Sequence, residues 1–489
     1  MEKRVENMNI IFFTSIILSL LHSILFWDRK PGISVFIFTL ATVGYLIYVL
    51  YKKNRIINRY GLLFSIPIVL LSSTYFIFNN ELFSIINGLV IIALFIVMCI
   101  YTCKPRLKLP NFIYEFISVI LGTLESIGDI IKEIKSLKRD KAGNSNTFKI
   151  IKAIVISIPI ILIVLVLLMS ADQVFEKAFR WIFDFIIDIL AVDGLFTTIL
   201  RIGLMIVIFL IIGGFLVNVV EENTMFNDNA KENNNEEKNK KSFDFLTANM
   251  IFTILNIIYA IFSIIQFSTL FTHSANITNF NYSEYARQGF FQLMFVSFIN
   301  FGLLMIFNIN KVADGEKKLY TKVMEIAMIV FTIVIIISAF YRMYLYEQTY
   351  GYTYLRIFVY FILFTELVLT IPVIMYISGK DLNLLKIAIT TCTIMYVILN
   401  FINIDNLIAK KNIDMYFESG DLTKFDLSYI ITNTNTDAIS QIKRLEKAKD
   451  QIIVDRVESY LKDKKIILSD EEMKWQEMNL SKLFALSIL

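Results

Sequence analysis

The segment 82–101, LFSIINGLVIIALFIVMCIY, contains no charged residue, and as a helix it is long enough to cross the hydrocarbon core of a bilayer. Segments of this kind recur along the chain, and they constrain the fold more than any motif does. Backbone N–H and C=O groups in lipid have no water to bond, so apolar runs of this length become helices that satisfy themselves. Composition agrees. Of 489 residues, 56% are apolar and the mean hydropathy is +0.63, against about 45–50% apolar in a soluble domain. The expected fold is all-α, a polytopic transmembrane helix bundle of about eleven spans with amphipathic interfacial helices and a small helical C-terminal domain.

The spans are expected at 9–27, 33–51, 60–78, 82–101, 150–169, 199–220, 246–271, 290–308, 323–340, 353–375 and 384–401. They divide the chain into a four-helix N-terminal membrane region (1–101), a cytoplasmic amphipathic helix with a basic loop (102–149), and the fifth and sixth spans with an outer amphipathic helix (150–220). A cytoplasmic linker (221–245), a membrane core of spans seven to eleven (246–402) and a helical C-terminal domain (403–489) follow. No small-residue cleavage site follows the first apolar run, so it reads as a retained signal anchor.

Between 110 and 143, Ile113, Phe116, Ile117, Ile120, Leu124, Ile127, Ile131 and Ile134 recur at helical spacing. That pattern gives an amphipathic helix that either lies on the inner leaflet or packs against the ends of the bundle. Asp172, Glu176, Arg180, Asp184 and Asp188 recur every four residues as one charged stripe, read as a solvated face. The tract EENTMFNDNAKENNNEEKNKK at 221–241 is too polar to bury a core and is expected to be disordered. In the tail, Ser469 and Glu472 have capping-box spacing ahead of Met473 and Trp475, which predicts a helix start there.

Lys52, Lys53, Arg55 and Arg59 follow the second span, and Lys104, Arg106, Lys108, Lys138, Arg139 and Lys141 follow the fourth, whereas only Asn79, Asn80 and Glu81 separate the third from the fourth. The positive-inside bias puts the N-terminus in the cytoplasm and the tail after Asn403 outside the cell membrane. A net charge of +4 with its basic residues confined to particular loops excludes the broad basic face that nucleic acid requires. Cys99, Cys103 and Cys392 form no CxxC, and His22 and His273 form no HExxH. No cofactor or metal is therefore expected, with a carboxylate-only metal site left open. The absence of a Walker lysine loop, GxGxxG and GxSxG disfavours an ATP-driven pump or a soluble-type hydrolase.

The stretch 341–372, YRMYLYEQTYGYTYLRIFVYFILFTELVLTIP, places Arg342, Glu347 and Arg356 in a tyrosine-rich turn marked by Gly351. It then sends Glu366 about 15 Å deeper, near the bilayer midplane. Asn256 and Asn300 lie at comparable depth and are candidate hydrogen-bond partners for a neutral Glu366. Glu366 is either interhelical glue or the seat of a proton or cation step.

SADQVF at 170–175, EYARQGFFQL at 284–293, YGYTYLR at 350–356, NIDNLIAKKNI at 403–413 and MNLSK at 478–482 together resemble the bacterial multi-pass membrane proteins of domain-of-unknown-function family 4173 and its relative 4153. The resemblance covers roughly the second two thirds of the chain. It departs at Tyr352, where the family pattern has leucine, and at Ile404, where proline precedes the aspartate. It implies a membrane-helix fold and positions of interest, and no activity.

On the positive-inside topology, the first four of these stretches share the outer face. If they meet, Arg287, Arg342 and Arg356 stand beside Asp172, Glu284 and Glu347, walled by Tyr285, Tyr344, Tyr346, Tyr350 and Tyr354. Arginine forks suit phosphate or carboxylate, so the expected ligand is an anionic lipid headgroup or polymer of the envelope. The alternative is that these charges pair with one another and lock the helix ends. Three function classes stay open: a protein in the lipid bilayer that binds or senses such a ligand, a proton- or ion-coupled secondary transporter using Glu366, and an enzyme acting on a lipid-linked substrate through Asp28 or Asp172. Binding or sensing, without enzymatic activity, is the reading carried forward.

Overall fold

The computed structural model describes residues 2–104, 109–137, 195–220, 245–267, 289–309, 319–380, 382–420 and 426–489. The expected fifth span, the charged stripe from Asp172 to Asp188 and the polar tract at 221–241 lie outside the described residues. Those that are described are helical, with no strand among them.

The membrane region consists of α1 (Glu2–Phe26), α2 (Ile33–Lys52), α3 (Arg59–Leu62), α4 (Ser65–Ile77), α5 (Glu81–Cys103), α6 (Leu109–Leu137), α7 (Leu195–Val220), α8 (Phe245–Gln266), α9 (Phe290–Ile309), α10 (Leu319–Tyr350), α11 (Tyr354–Ile377) and α12 (Leu384–Phe401). Among the described residues, nine helical segments are long and apolar enough to cross a membrane, with α3 and α4 counted as one, and α1 adds the shorter apolar segment Ile10–Phe26. The bundle is apolar outward. On α5, Leu82, Ile85, Leu89 and Ile92 are exposed while Asn87, Ile91, Leu94 and Met98 are buried. A membrane helix gains nothing from hiding leucine from lipid, so its inward face is where polar and close-packing residues collect.

The amphipathic α6 packs on α7, which also packs on α1. Gly213 and Gly214 of α7 allow the approach, since a Cβ at Gly214 would stand 2.6 Å from the Thr123 carbonyl oxygen, and Asn218 donates to the Val119 carbonyl at 3.1 Å. The other side of α6 leaves Ile113, Ile117, Ile120 and Leu121 exposed.

Helix α10 is longer than the periodicity predicts. Residues 341–350, expected within a turn, continue the helix, because nothing before Gly351 interrupts it. Gly351 adopts a positive φ of 74° and its N–H caps the Glu347 carbonyl at 2.7 Å, the usual glycine stop of a helix. The turn itself is only residues 351–353.

The tail comprises α13 (Ile404–Ser419), α14 (Leu427–Asn433), α15 (Ile439–Ile442), α16 (Gln451–Asp470) and α17 (Leu480–Ile488), with 3-10 turns at Thr436–Ala438, Lys443–Lys447 and Trp475–Glu477. Its core gathers Ala409, Ile413, Ile430, Ile439, Leu445 and Val457. The capping-box expectation is corrected here. Ser469 lies in the last turn of α16, and the helix that follows starts only after Asn479, whose Oδ1 accepts from Lys482 N at 3.1 Å. Met473 and Trp475 do not supply the buried run that a capping box introduces, Trp475 being 58% exposed.

The tail is seated on three turns at one end of the bundle. Ile33 N donates to the Met478 carbonyl and Lys30 N to Glu477. Asn479 Nδ2 donates to the Tyr75 and Phe78 carbonyls at 3.0 and 2.8 Å. Asn412 takes the N–H and C=O of Tyr352 at 2.7 and 2.9 Å. At the opposite end, Asn58 N reaches the Thr102 carbonyl and Arg55 the Val220 carbonyl.

Candidate functional site

Arg356 sits in the first turn of α11, the positive end of the helix dipole, where a cation is disfavoured. Its Nη1 compensates by donating to the carbonyls of Tyr350, at 2.8 Å, and Gly351, at the α10 terminus, where carbonyls lack intrahelical partners. The guanidinium also stacks 4.3 Å from the Tyr346 ring centroid. Arg342, buried one helix end away, donates to Gln266 at 3.2 Å, and the same Gln266 oxygen accepts from Ser338 at 2.7 Å. Gly289, at a φ of 100°, lies against Arg342, where a Cβ would come within 2.7 Å of Nη1. Glu347 is buried beside Tyr352 and Tyr360.

Arg342, Glu347 and Arg356 are thus gathered at the tail-bearing end of α10 and α11, each with partners inside the protein. Asp172, Glu284 and Arg287 lie outside the described residues, although the last residues of the EYARQGFFQL stretch reach this corner through Gly289 and the stacking of Phe290 on Tyr346.

A second polar cluster, which periodicity and spacing alone do not reveal, joins the tail to α4, α5 and α12. Asn80 caps α5 by accepting from Phe83 N at 2.9 Å; its Nδ2 donates to the Tyr354 hydroxyl at 2.8 Å and to Asp405 Oδ1 at 3.2 Å. Asp437 Oδ2 accepts from Asn79 N at 2.9 Å, and Ser481 and Asn403 lie near enough to favour its charged form. Burial pushes the Asp405 carboxyl up to about 7, with repulsion from Asp437 adding to it, and burial raises Asp437 as well. Among the described residues neither carboxylate pairs with a lysine, arginine or histidine.

The cluster continues into the bundle. Asn87 Nδ2 donates to Asn400 Oδ1 at 2.6 Å and to Thr74 at 3.0 Å, and the Tyr396 hydroxyl donates to Asn87 Oδ1 at 2.7 Å. Thr74, Asn80, Asn87, Asn403, Asp405 and Asp437 line a cavity whose water-sized free space is about 20 Å³, room for one water or one ion.

Glu366 is buried on α11 and its Oε2 accepts from Ser297 Oγ at 2.5 Å. The two asparagines expected to reach it are engaged elsewhere. Asn256 donates to the Met324 carbonyl at 2.9 Å, and Asn300 donates to Thr332 at 3.0 Å while accepting from the Tyr259 hydroxyl at 2.7 Å. Depth in the membrane is legible from sequence, but the direction in which each residue points around its helix is set by packing. Among the described residues no group of three or more His, Cys, Asp or Glu side chains could hold a metal ion.

Asp405 lies within the NIDN stretch and is within reach of sequence reasoning as a motif acid. Asp437 carries no local signal, and Asn87 and Asn400 are single amides in spans of a chain rich in asparagine. Comparison with curated proteins and with solved structures returned no match. A family model described as a domain of unknown function, DUF4153, matches residues 65–445. That range takes in α4 through α15, with both polar clusters, and the chain belongs to this family, an integral membrane protein of helical-bundle architecture.

Proposed function

We propose that this protein binds or senses an anionic ligand of the cell envelope at the end of the bundle where the tail is seated. The observation that carries the reading is the α10–α11 corner, where Arg356 holds two backbone carbonyls and Arg342 a neutral amide. A phosphate or carboxylate accepts from a guanidinium more strongly than a neutral oxygen does. An arriving anion would therefore draw the Arg356 fork from the carbonyls it holds, and ligand binding and loosening of the turn at 351–353 become one event. Because Asn412 grips that turn from the tail, the loosening would pass to the tail domain. Arg287, with Asp172 and Glu284, belongs to the same proposed site, as does the kinship with family 4173 carried by the shared stretches.

Topology is part of the proposal. The end of the bundle opposite the tail carries Lys52, Lys53, Arg55, Arg59 and Lys104, which favours a cytoplasmic N-terminus and an extracytoplasmic tail. Reporter fusions at Asp450 test it: activity of a periplasm-type reporter is expected, and a cytoplasmic signal overturns the arrangement. For the ligand, purified protein is melted with and without vesicles of an anionic lipid or an anionic polymer. A rise in Tm that Arg342→Ala abolishes while the protein stays folded is the expected result. No response to either probe overturns the reading. A proton- or ion-coupled transporter is the second reading, favoured by one observation: Glu366 Oε1 is buried without a hydrogen bond among the described residues.

A further inference from the structure

We propose that Asp405 and Asp437 hold a divalent cation of the hard, oxygen-seeking class, Ca²⁺, in the cavity between the tail domain and the ends of α4, α5 and α12. This goes beyond the anionic ligand proposed above and does not depend on it. Two carboxylates line one cavity that holds no basic partner among the described residues, and burying two like charges side by side is costly unless a counter-charge joins them.

Asp405 is only 1% exposed, and its Oδ2 makes no hydrogen bond although the residue lines the cavity. Its Oδ1 is fixed by Asn80, so the second oxygen has a defined place from which to bind. Asn435 lies near enough to favour the charged carboxylate without closing a bond to that oxygen.

The surrounding chemistry matches the cation. The side-chain oxygens of Asn80 and Asn403 each cap a helix by accepting one backbone N–H, and an amide oxygen has a second lone pair to give. Carboxylates and amide oxygens are the ligand set of Ca²⁺, whereas Mg²⁺ keeps several waters and is seldom held by an all-protein cage. Two carboxylates balance a divalent ion and leave a monovalent one short. Phosphate is excluded by sign. The ligands come from α5, α13 and the turn at Thr436–Ala438, so an ion here would tie the tail to the bundle.

The test is calorimetric titration of CaCl₂ into the full-length, chelator-stripped protein in detergent, from about 10 μM to about 10 mM, the range spanned by weaker Ca²⁺ sites, with MgCl₂ and NaCl at matched ionic strength. One saturable Ca²⁺ site per chain is expected, with a Tm raised by at least about 2 °C at saturation. Asp405→Asn and Asp437→Asn should each weaken binding by about tenfold or more while melting in chelator at or above the wild-type Tm, because repulsion between the carboxylates is relieved. If one variant does not fold, the other and the wild-type titration still decide. No Ca²⁺ binding by the wild type up to the millimolar limit, binding of Na⁺ alone, or unchanged affinity in both variants overturns the assignment.

Discussion

Replacing Asn412 with alanine should release the tail from the α10–α11 turn without disturbing a single membrane span. Its side chain, on α13, accepts from Tyr352 N at 2.7 Å and donates to Tyr352 O at 2.9 Å, reading the turn as a neighbouring strand would. Each bond contributes about 1 kcal/mol net, and a peptide group left half-buried without a partner adds to the loss, so Asn412→Ala should cost about 2–3 kcal/mol. That is roughly a 30- to 150-fold rise in the population with the tail undocked, at about 1.4 kcal/mol per factor of ten. Hydrogen exchange of purified protein reads it directly, in peptides covering 351–358 and 404–419. Asn412→Asp keeps the acceptor, loses the donor and adds a charge, so it should at least match the loss of one bond. Protection within about threefold of wild type in Asn412→Ala, well below the loss expected from two hydrogen bonds, would refute the idea that this pair fastens the tail.

Gly61→Ala should be among the most damaging substitutions on the opposite end of the bundle, since its Cβ would stand 2.2 Å from the Thr102 backbone nitrogen; a loss of at least about 1–3 kcal/mol, seen as a lowered Tm, is expected. Glu366→Gln should fold normally, because the amide oxygen still accepts from Ser297, whereas Glu366→Leu should lose a contact of about 0.6–2 kcal/mol in a detergent unfolding titration; a Glu366→Gln chain that folds but is dead would turn the argument toward proton coupling. Lys30 and Lys482 hold the Glu471 carboxyl below its ordinary range. The stabilisation from this group is therefore present above the usual carboxylate pKa of about 4.3 and fades as pH falls through the depressed value. Protease sensitivity of the tail should rise in acid and in high salt, and Glu471→Gln should remove the acid step.

Much of this architecture is legible in the sequence because lipid imposes a simple rule on it. Runs such as 82–101 and 384–401 have no alternative to helix, and a lone acid such as Glu366 stands out against them. The corner formed by Arg342, Glu347 and Arg356 is legible as a place, since all three flank one glycine, but not as a mechanism. That Arg356 serves the carbonyls of the preceding helix follows only from how α10 and α11 meet. Ser297 does not stand out beside Asn256 and Asn300 because hydrogen-bonding capacity ranks amides above a hydroxyl, while the azimuth of each helix is decided by neighbours distant in sequence. The Asp405–Asp437 junction was beyond reach for the same reason. It brings Asn79 and Asn80 together with residues more than three hundred positions later, and no local pattern encodes that pairing.

The seating of the tail also bears on how the protein is made. The turns after α1 and α4 leave the ribosome about four hundred residues ahead of the segment that seats them: Gly32 packs on the Glu477 backbone, Lys30 reaches Glu471 and Glu477, and the carbonyls of Tyr75 and Phe78 wait for Asn479. Domains generally fold in the order of synthesis, but here these hairpins cannot be finished until residues 471–479 exist. During insertion these turns must be served by water or by a chaperone, and the tail acts as the latch that closes a bundle already in the membrane. A ribosome stalled before residue 471 would hold inserted helices with an unsealed end, a state that quality-control proteases are suited to recognise.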